Sequence, residues 1–159
     1  VHLLVGLTGS GKTTYAHRVL VPAGIALLSV DELMFERHGR YGVDYPEDEF
    51  PELEALALAE VRRRTAALVA RGRSVAVDSG LWRRDERDAW KSLVQAAGGR
   101  WVLRYFPVPR EELLRRLHER NRRSDAHALR VTEQALDDFI ARFEPPVDEG
   151  EVVELSTSC

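Results

Sequence analysis

Apolar residues come in short blocks along the chain, and several blocks end on glycine or aspartate. The first, "HLLV" at residues 2–5, stops at Gly6. The blocks at 25–29, 74–77, 101–106 and 152–155 have the same compact character. Short apolar runs bounded by turn residues read as strands buried on both faces. Helical segments fill the gaps. One starts near Lys12 and runs to about Leu20, where Pro22 and Gly24 close it. A long one spans 51–71, rich in helix formers and ended by a glycine. Another covers 84–97, stopped by Gly98 and Gly99. Pro109 opens a helix through about Arg120, with Glu111 and Glu112 in its first turn. Thr132 caps a helix over 133–143, with Gln134 one position short of the reciprocal capping box and Pro145–Pro146 as the stop. Residues 35–50 lack a clear period and read as a loop with one helical turn.

Strands alternating with helices predict an α/β fold, an open and mostly parallel sheet covered on both faces. Crossovers in such a sheet are right-handed. Ligands bind beyond the carboxyl ends of its strands. Gly6, Asp31 and Asp78 each follow an apolar block, so they are expected on one rim.

The sequence has 159 residues, 44% hydrophobic and 31% charged, and reads as a single domain over 1–159. A formal net charge of -3 gives no general nucleic-acid coat but leaves room for a local basic groove. Arg115, Arg116, Arg120, Arg122 and Arg123 concentrate the positive charge. The one cysteine, Cys159, has no partner within the chain. No apolar run reaches the roughly 20 residues needed to cross a bilayer, and no secretory leader is visible, so a cytoplasmic location is expected. The strand begins directly after Val1, which is compatible with residues upstream of it.

"GLTGSGKTT", Gly6 to Thr14, carries the chemistry. Gly6-Leu7-Thr8-Gly9-Ser10-Gly11-Lys12-Thr13 fits G-x-x-x-x-G-K-[ST], the Walker A pattern, between a predicted strand and a predicted helix. Glycines let the backbone wrap with its amides pointing inward, and the helix start adds partial positive charge. Gly6, Thr8, Gly9, Ser10, Gly11, Lys12, Thr13 and Thr14 are therefore the candidate nucleotide-binding residues, with Lys12 reaching the β- and γ-phosphates and Thr13 ligating Mg²⁺. The motif fixes nucleoside-triphosphate binding without separating a kinase from an ATPase or GTPase.

Asp31 follows "ALLSV" and could take or orient the proton of an attacking hydroxyl; capping of a helix over 32–37 is the competing role. Asp78 ends "RSVAVD" and is the expected second carboxylate, near the metal or the acceptor. Ser79 and Gly80 suit a pocket floor or an ordinary turn. Arg83, Arg84 and Arg87 either approach the acceptor or face water, and Arg84 is the acceptor-side candidate. Arg116 and Arg120 lie four apart on one helix face. A lid at approximately 116–132 would let Arg116, Arg120 and Arg123 meet the transferring phosphate and exclude water. Solvated surface is the plainer reading of the same charges.

With these pieces assembled, the chain resembles the small AAA-type ATP-binding kinases of the P-loop group, similar to the polynucleotide 5′-kinase domain, chloramphenicol phosphotransferase and the zeta toxins. "GLTGSGKTT", "LLSVDELMF", "VAVDSGLWRRDERDAW", "YFPVPREELLRRLHERNRR" and "FIARFEPP" carry the resemblance over nearly the whole chain. It implies an adenylate-kinase-like five-stranded parallel sheet, order 2-3-1-4-5, with a small arginine-bearing lid. It also implies ATP, Mg²⁺ and transfer of the γ-phosphate to a hydroxyl. The acceptor-activating aspartate falls on Asp31, the lid arginines on Arg116 and Arg120 with Arg122 and Arg123 close by, and the third-strand acid on Asp78. Two departures bear on the acceptor. Polynucleotide kinases carry an arginine where Met34 stands, and Asp-Thr-Asn where this chain has Asp78-Ser79-Gly80. The segment "GVDYPEDEFPELE" is acidic with no lysine or arginine, and would repel a phosphate backbone.

A kinase acting on a small-molecule hydroxyl, such as an antibiotic, nucleoside or sugar-like compound, is thus the leading expectation. A polynucleotide or RNA 5′-hydroxyl kinase and a non-kinase ATPase or switch are the alternatives. Phe35, Tyr41, Tyr45, Phe50 and Trp82 are expected either to line the acceptor pocket or to pack between lid and body.

Overall fold

The computed structural model describes residues 1–122 and 131–155, with side chains placed through Arg120 and again from Val131. Five strands form one sheet: β1 (His2–Val5), β2 (Ala26–Ser29), β3 (Val75–Asp78), β4 (Val102–Tyr105) and β5 (Glu151–Val153). Their order is β2-β3-β1-β4-β5, as the resemblance to the P-loop kinases implies, and every pairing is parallel. The expected blocks shift by a residue or two at their ends. Asp78, expected just past its strand, is the last residue of β3.

The helices are α1 (Lys12–Tyr15), α2 (Val30–His38), α3 (Phe50–Ala70), α4 (Arg84–Ala96), α5 (Arg110–Arg122) and α6 (Glu133–Arg142). Beyond Tyr15, the turns of α1 widen over Ala16–Leu20, where Val21 N–H donates to Ala16 O at 2.9 Å. The 35–50 stretch is more ordered than expected. α2 continues through His38, and a 3-10 turn occupies Glu47–Glu49. Thr132 caps α6 by accepting from Ala135 N–H.

Side-chain alternation along the strands sorts the core into layers. Leu3, Val5, Val75, Val77 and Leu103 face α2, α3 and α4, meeting Leu33, Met34, Val61 and Trp90. Leu4 and Ala76 face the opposite way, onto Ala16, Leu20 and Phe106. A third cluster joins Leu7 of the β1–α1 loop to Leu113 and Leu117 of α5, Val131, and Leu136 of α6. It seats α5 and α6 over the loop that carries the chemistry.

Register places the site. Leu4 pairs with Asp78, and Asp78 in turn pairs with Ser29. The carboxyl ends of β1, β3 and β2 therefore lie side by side. Gly6, Asp78 and Asp31 leave the sheet at the same rim.

Candidate active site

The loop between β1 and α1 is shaped by its glycines. A Cβ on Gly6 would lie 2.7 Å from Ser10 Oγ and 3.1 Å from the Phe106 carbonyl, so no larger residue fits without displacement. Gly11 is the residue before α1, with φ 96° and no side-chain cap on the helix. Left-handed backbone of this kind favours glycine. The first amides of α1 thus open onto the loop without a side-chain acceptor, the arrangement that receives anions.

Lys12 is buried and folded back over the loop. Its ammonium donates to Gly6 O at 2.9 Å, Leu7 O at 3.0 Å and Ser10 Oγ at 3.5 Å. Burial lowers its pKa; Asp78 and Asp31 oppose that shift, and Arg120 adds to it. Thr13 Oγ1 donates to Asp78 Oδ2 at 2.5 Å. The hydroxyl of Ser79, next along the chain, is buried without a hydrogen-bond partner.

Asp31 sits in the first turn of α2. The cap of that helix is Ser29, whose hydroxyl accepts from Glu32 N–H at 3.3 Å. The capping alternative for Asp31 is thereby corrected: Ser29 fills the position, leaving the Asp31 carboxylate for another purpose. Asp31 is exposed to water at its surface, with protein packed densely around it. Burial raises its pKa and the charge of Asp78 adds to the rise, while Lys12 and Arg120 act against it.

α5 lies across the loop from above. Leu117 approaches to 3.5 Å of where a Gly9 side chain would begin. Arg116 Nη1 donates to Gly9 O at 3.4 Å, while its Nε holds Glu112 at 2.6 Å. Arg120 is half-buried: burial lowers its pKa and Asp31 raises it. The fold therefore brings Lys12, Thr13, Asp31, Asp78, Arg116 and Arg120 to one place. Thr8 and Thr14 flank them on the loop and on α1. Arg123 lies outside the described residues, as does the middle of the expected lid, 123–130. Arg84 is exposed near Asp88, and its N–H donates to Glu144 at 2.8 Å.

Other expectations resolve differently. Arg87 neither faces water nor points to an acceptor; it is buried in an ion pair with Glu149. The spacing carried a hint, since Arg87 shares one helix face with buried Trp90 and Val94. Trp82 packs on Phe139 at 5.0 Å, in the cluster that seats α5 and α6 over the phosphate loop. Tyr41 meets Phe50 at 5.2 Å and Tyr45 at 6.2 Å, edge to face. Tyr45 also belongs to the Asp31 neighbourhood: burial, then Tyr41, then Asp31 raise its pKa. Glu54 of α3 was not singled out from the sequence. Burial raises its carboxyl, with added repulsion from Asp31 and Glu86.

The residues present suit a nucleotide and Mg²⁺. The loop has a glycine cradle, an uncapped helix start, a buried ammonium and an orphaned hydroxyl. Among the described residues no group of three or more His, Cys, Asp or Glu could hold a metal unaided. Mg²⁺ does not need such a group, because it commonly binds through one or two protein ligands together with phosphates and water.

Fold and loop together define a P-loop protein with the architecture of the small P-loop kinases. The chain belongs to the AAA_33 family of AAA domains, whose sequence profile matches residues 1–146. No curated protein matches it. Among solved structures it is similar to a Chloroflexus aurantiacus protein thought to be a kinase, with TM-score 0.72 and 20% identity over 97% of this chain and 85% of that one. A gluconokinase from Sinorhizobium meliloti gives TM-score 0.68 and 20% identity over 99% and 83% of the two chains. A chain of the Pnkp1/Rnl/Hen1 RNA repair complex gives 0.71 and 19%, covering 89% of this chain and 42% of that one. At these identities the likeness establishes the fold. Among the described residues, no helix is long and apolar enough to cross a membrane.

Proposed function

We propose that the protein is an ATP-dependent kinase that transfers the γ-phosphate to a hydroxyl of a small, uncharged or cationic molecule of the sugar, nucleoside or antibiotic type. One observation supports this reading: the register Leu4–Asp78–Ser29 brings the carboxyl ends of β1, β3 and β2 to one rim, so that Asp31 stands where its charge acts on Lys12, Asp78 and Arg120.

Bound ATP and Mg²⁺ would supply the activated phosphoryl group. The loop amides between Gly6 and Thr14 would hold its phosphates, and Thr13 and Asp78 would hold the metal. Lys12 and Arg120, with Arg116 beside them, would neutralise charge at the transferred group. Asp31 would orient the acceptor hydroxyl and take its proton. This division suits a reaction in which positioning and charge neutralisation do most of the work. Asp78, Ser79 and Arg84 are the acceptor-side candidates beside Asp31. The acceptor side is acidic: the charges of Asp31 and of Glu86 both act on Glu54. Negative charge there disfavours an anionic acceptor and a phosphate backbone alike.

The test is to incubate the protein with γ-labelled ATP and Mg²⁺ and follow the label. One arm holds a pool of hydroxylated small molecules and the other a 5′-hydroxyl oligonucleotide, each run beside Asp31→Asn. Label in a pooled compound, lost in the variant, is the expected result. Label in the oligonucleotide would replace this reading with a polynucleotide kinase, and label only in free phosphate would favour an ATPase.

A further inference from the structure

Arg87 is buried and bonded through all three of its nitrogens, yet it touches none of the reacting positions. It and Glu149 are each only 1% exposed in their side chains. Nε and Nη2 grip the Glu149 carboxylate, the shortest contact being 2.6 Å. The remaining nitrogen, Nη1, donates to three carbonyls: Leu81 O at 3.1 Å, Trp82 O at 3.1 Å and Glu144 O at 2.9 Å.

These carbonyls belong to the turn that leaves Asp78 and to the segment that leaves α6. Gly80 has φ 78° and Leu81 φ 49°. A non-glycine residue in that region costs roughly 1–2 kcal/mol and persists only where surroundings hold it. Leu81 is pinned on both sides, its side chain in the main core and its carbonyl on Arg87. The same turn supports the phosphate loop directly, because Gly6 N–H donates to Gly80 O at 3.3 Å. Immediately upstream, Asp78 accepts from Thr13. A short covalent path thus runs from the guanidinium-held carbonyls to both contacts that fix the loop. Glu144 closes the circuit, its N–H donating to Trp82 O at 3.0 Å.

We propose that Arg87, braced by Glu149, is a positioning residue for the metal-side half of the phosphate site: by clamping Leu81, Trp82 and Glu144 it sets the turn that places Asp78 against Thr13 and Gly80 against Gly6. This rests on the nucleotide-binding reading above. Arginine suits the task and lysine does not, because only the planar fork can hold a carboxylate and converging carbonyls at once.

The test measures binding of a non-hydrolysable ATP analogue with Mg²⁺ and with a chelator, below the melting temperature of every form. Arg87→Met combined with Glu149→Leu removes both of these charges together, which usually spares stability where removing one partner does not; Lys91, which also bonds Glu149 at 2.8 Å, keeps Asp88 as its partner at 3.1 Å. Arg87→Lys keeps a cation opposite Glu149 and serves if the double variant fails to fold. In either variant the Mg²⁺-dependent gain in affinity is expected to fall by about ten- to a hundredfold, the scale for residues that orient metal ligands, with chelated binding much less affected. A purely structural role would lower the melting temperature and leave the ratio of the two affinities unchanged, and that outcome overturns the proposal. A wild-type chain that binds no nucleotide would instead overturn the kinase reading beneath it.

Discussion

The Thr13 hydroxyl donates to Asp78 Oδ2 at 2.5 Å, joining the first turn of α1 to the last residue of β3. A hydroxyl–carboxylate bond at this distance is at the short, strong end of its class. It leaves the hydroxyl's lone pairs for a cation. Thr13→Val keeps the shape and removes the oxygen, so Mg²⁺ affinity in the presence of nucleotide is expected to fall by about ten- to a hundredfold. Thr13→Ser should retain it. Titrating Mg²⁺ against analogue binding separates the two, and equal Mg²⁺ affinity in Val and Ser variants would remove Thr13 from the metal site.

Asp31→Asn should keep ATP binding and slow phosphoryl transfer by about 10²-fold or more, the scale of a positioned general base. The pH profile gives a second check. The Asp31 carboxyl is raised by burial and by Asp78. Activity that needs its ionised form should therefore fall off, as pH drops, at a pH above the usual aspartate range.

The same shift makes a stability prediction. With the folded pKa above the unfolded one, the folded chain binds more protons between the two values, so Asp31's contribution to stability is present at low pH and is lost as pH rises through its raised pKa. Asp31→Asn should melt higher than the wild type at pH 7, and that advantage should vanish as pH falls below the ordinary aspartate value of about 3.9. Thermal melts of both forms across this range decide it, and a variant that melts lower at pH 7 would contradict the expected strain.

Arg120 and Arg116 make different predictions. Arg120 interacts electrostatically with Asp31 and Lys12, whereas Arg116 is bound to Glu112 and the Gly9 carbonyl. Arg120→Ala is expected to lower kcat by roughly 10²-fold or more, as removal of a charge-stabilising donor does. Arg116→Ala should act mainly on KM for ATP, because its contact is with the loop. Steady-state kinetics on both variants tests the split.

The strand blocks and the phosphate loop were legible because each depends on local pattern: apolar runs bounded by turns, and glycines at fixed offsets. The order of the strands is not local, and came only through the resemblance to the small P-loop kinases. Asp31 and Asp78 were legible as strand-end acids on one rim. The arginines were harder. Arg87 and Arg84 look alike in "WRRDERDAW", yet one is buried against Glu149 and the other exposed beside Asp88. What separates them is the phase of α4, which needs Trp90 and Val94 to be read as core. Glu54 was hidden for another reason: α3 must fold back over α2 before its first turns come near Asp31, and no local signal encodes that approach.

Lys12 offers the sharpest test of where the phosphates sit. In this structure its ammonium is satisfied by Gly6 O and Leu7 O, and it is held among Asp78, Asp31 and Arg120. To meet a phosphate it has only to exchange carbonyl partners for a charged one. Hydrogen bonds to charged groups are worth about 1.5–3 kcal/mol, so Lys12→Ala should cost ATP roughly ten- to a hundredfold in affinity. AMP, which lacks the β- and γ-phosphates, should lose far less. The sheet does not depend on Lys12, so far-UV circular dichroism should be unchanged. Equal losses for ATP and AMP would mean that Lys12 shapes the loop without reaching the terminal phosphates, and the assignment of the transferring group to this end of the site would fail with it.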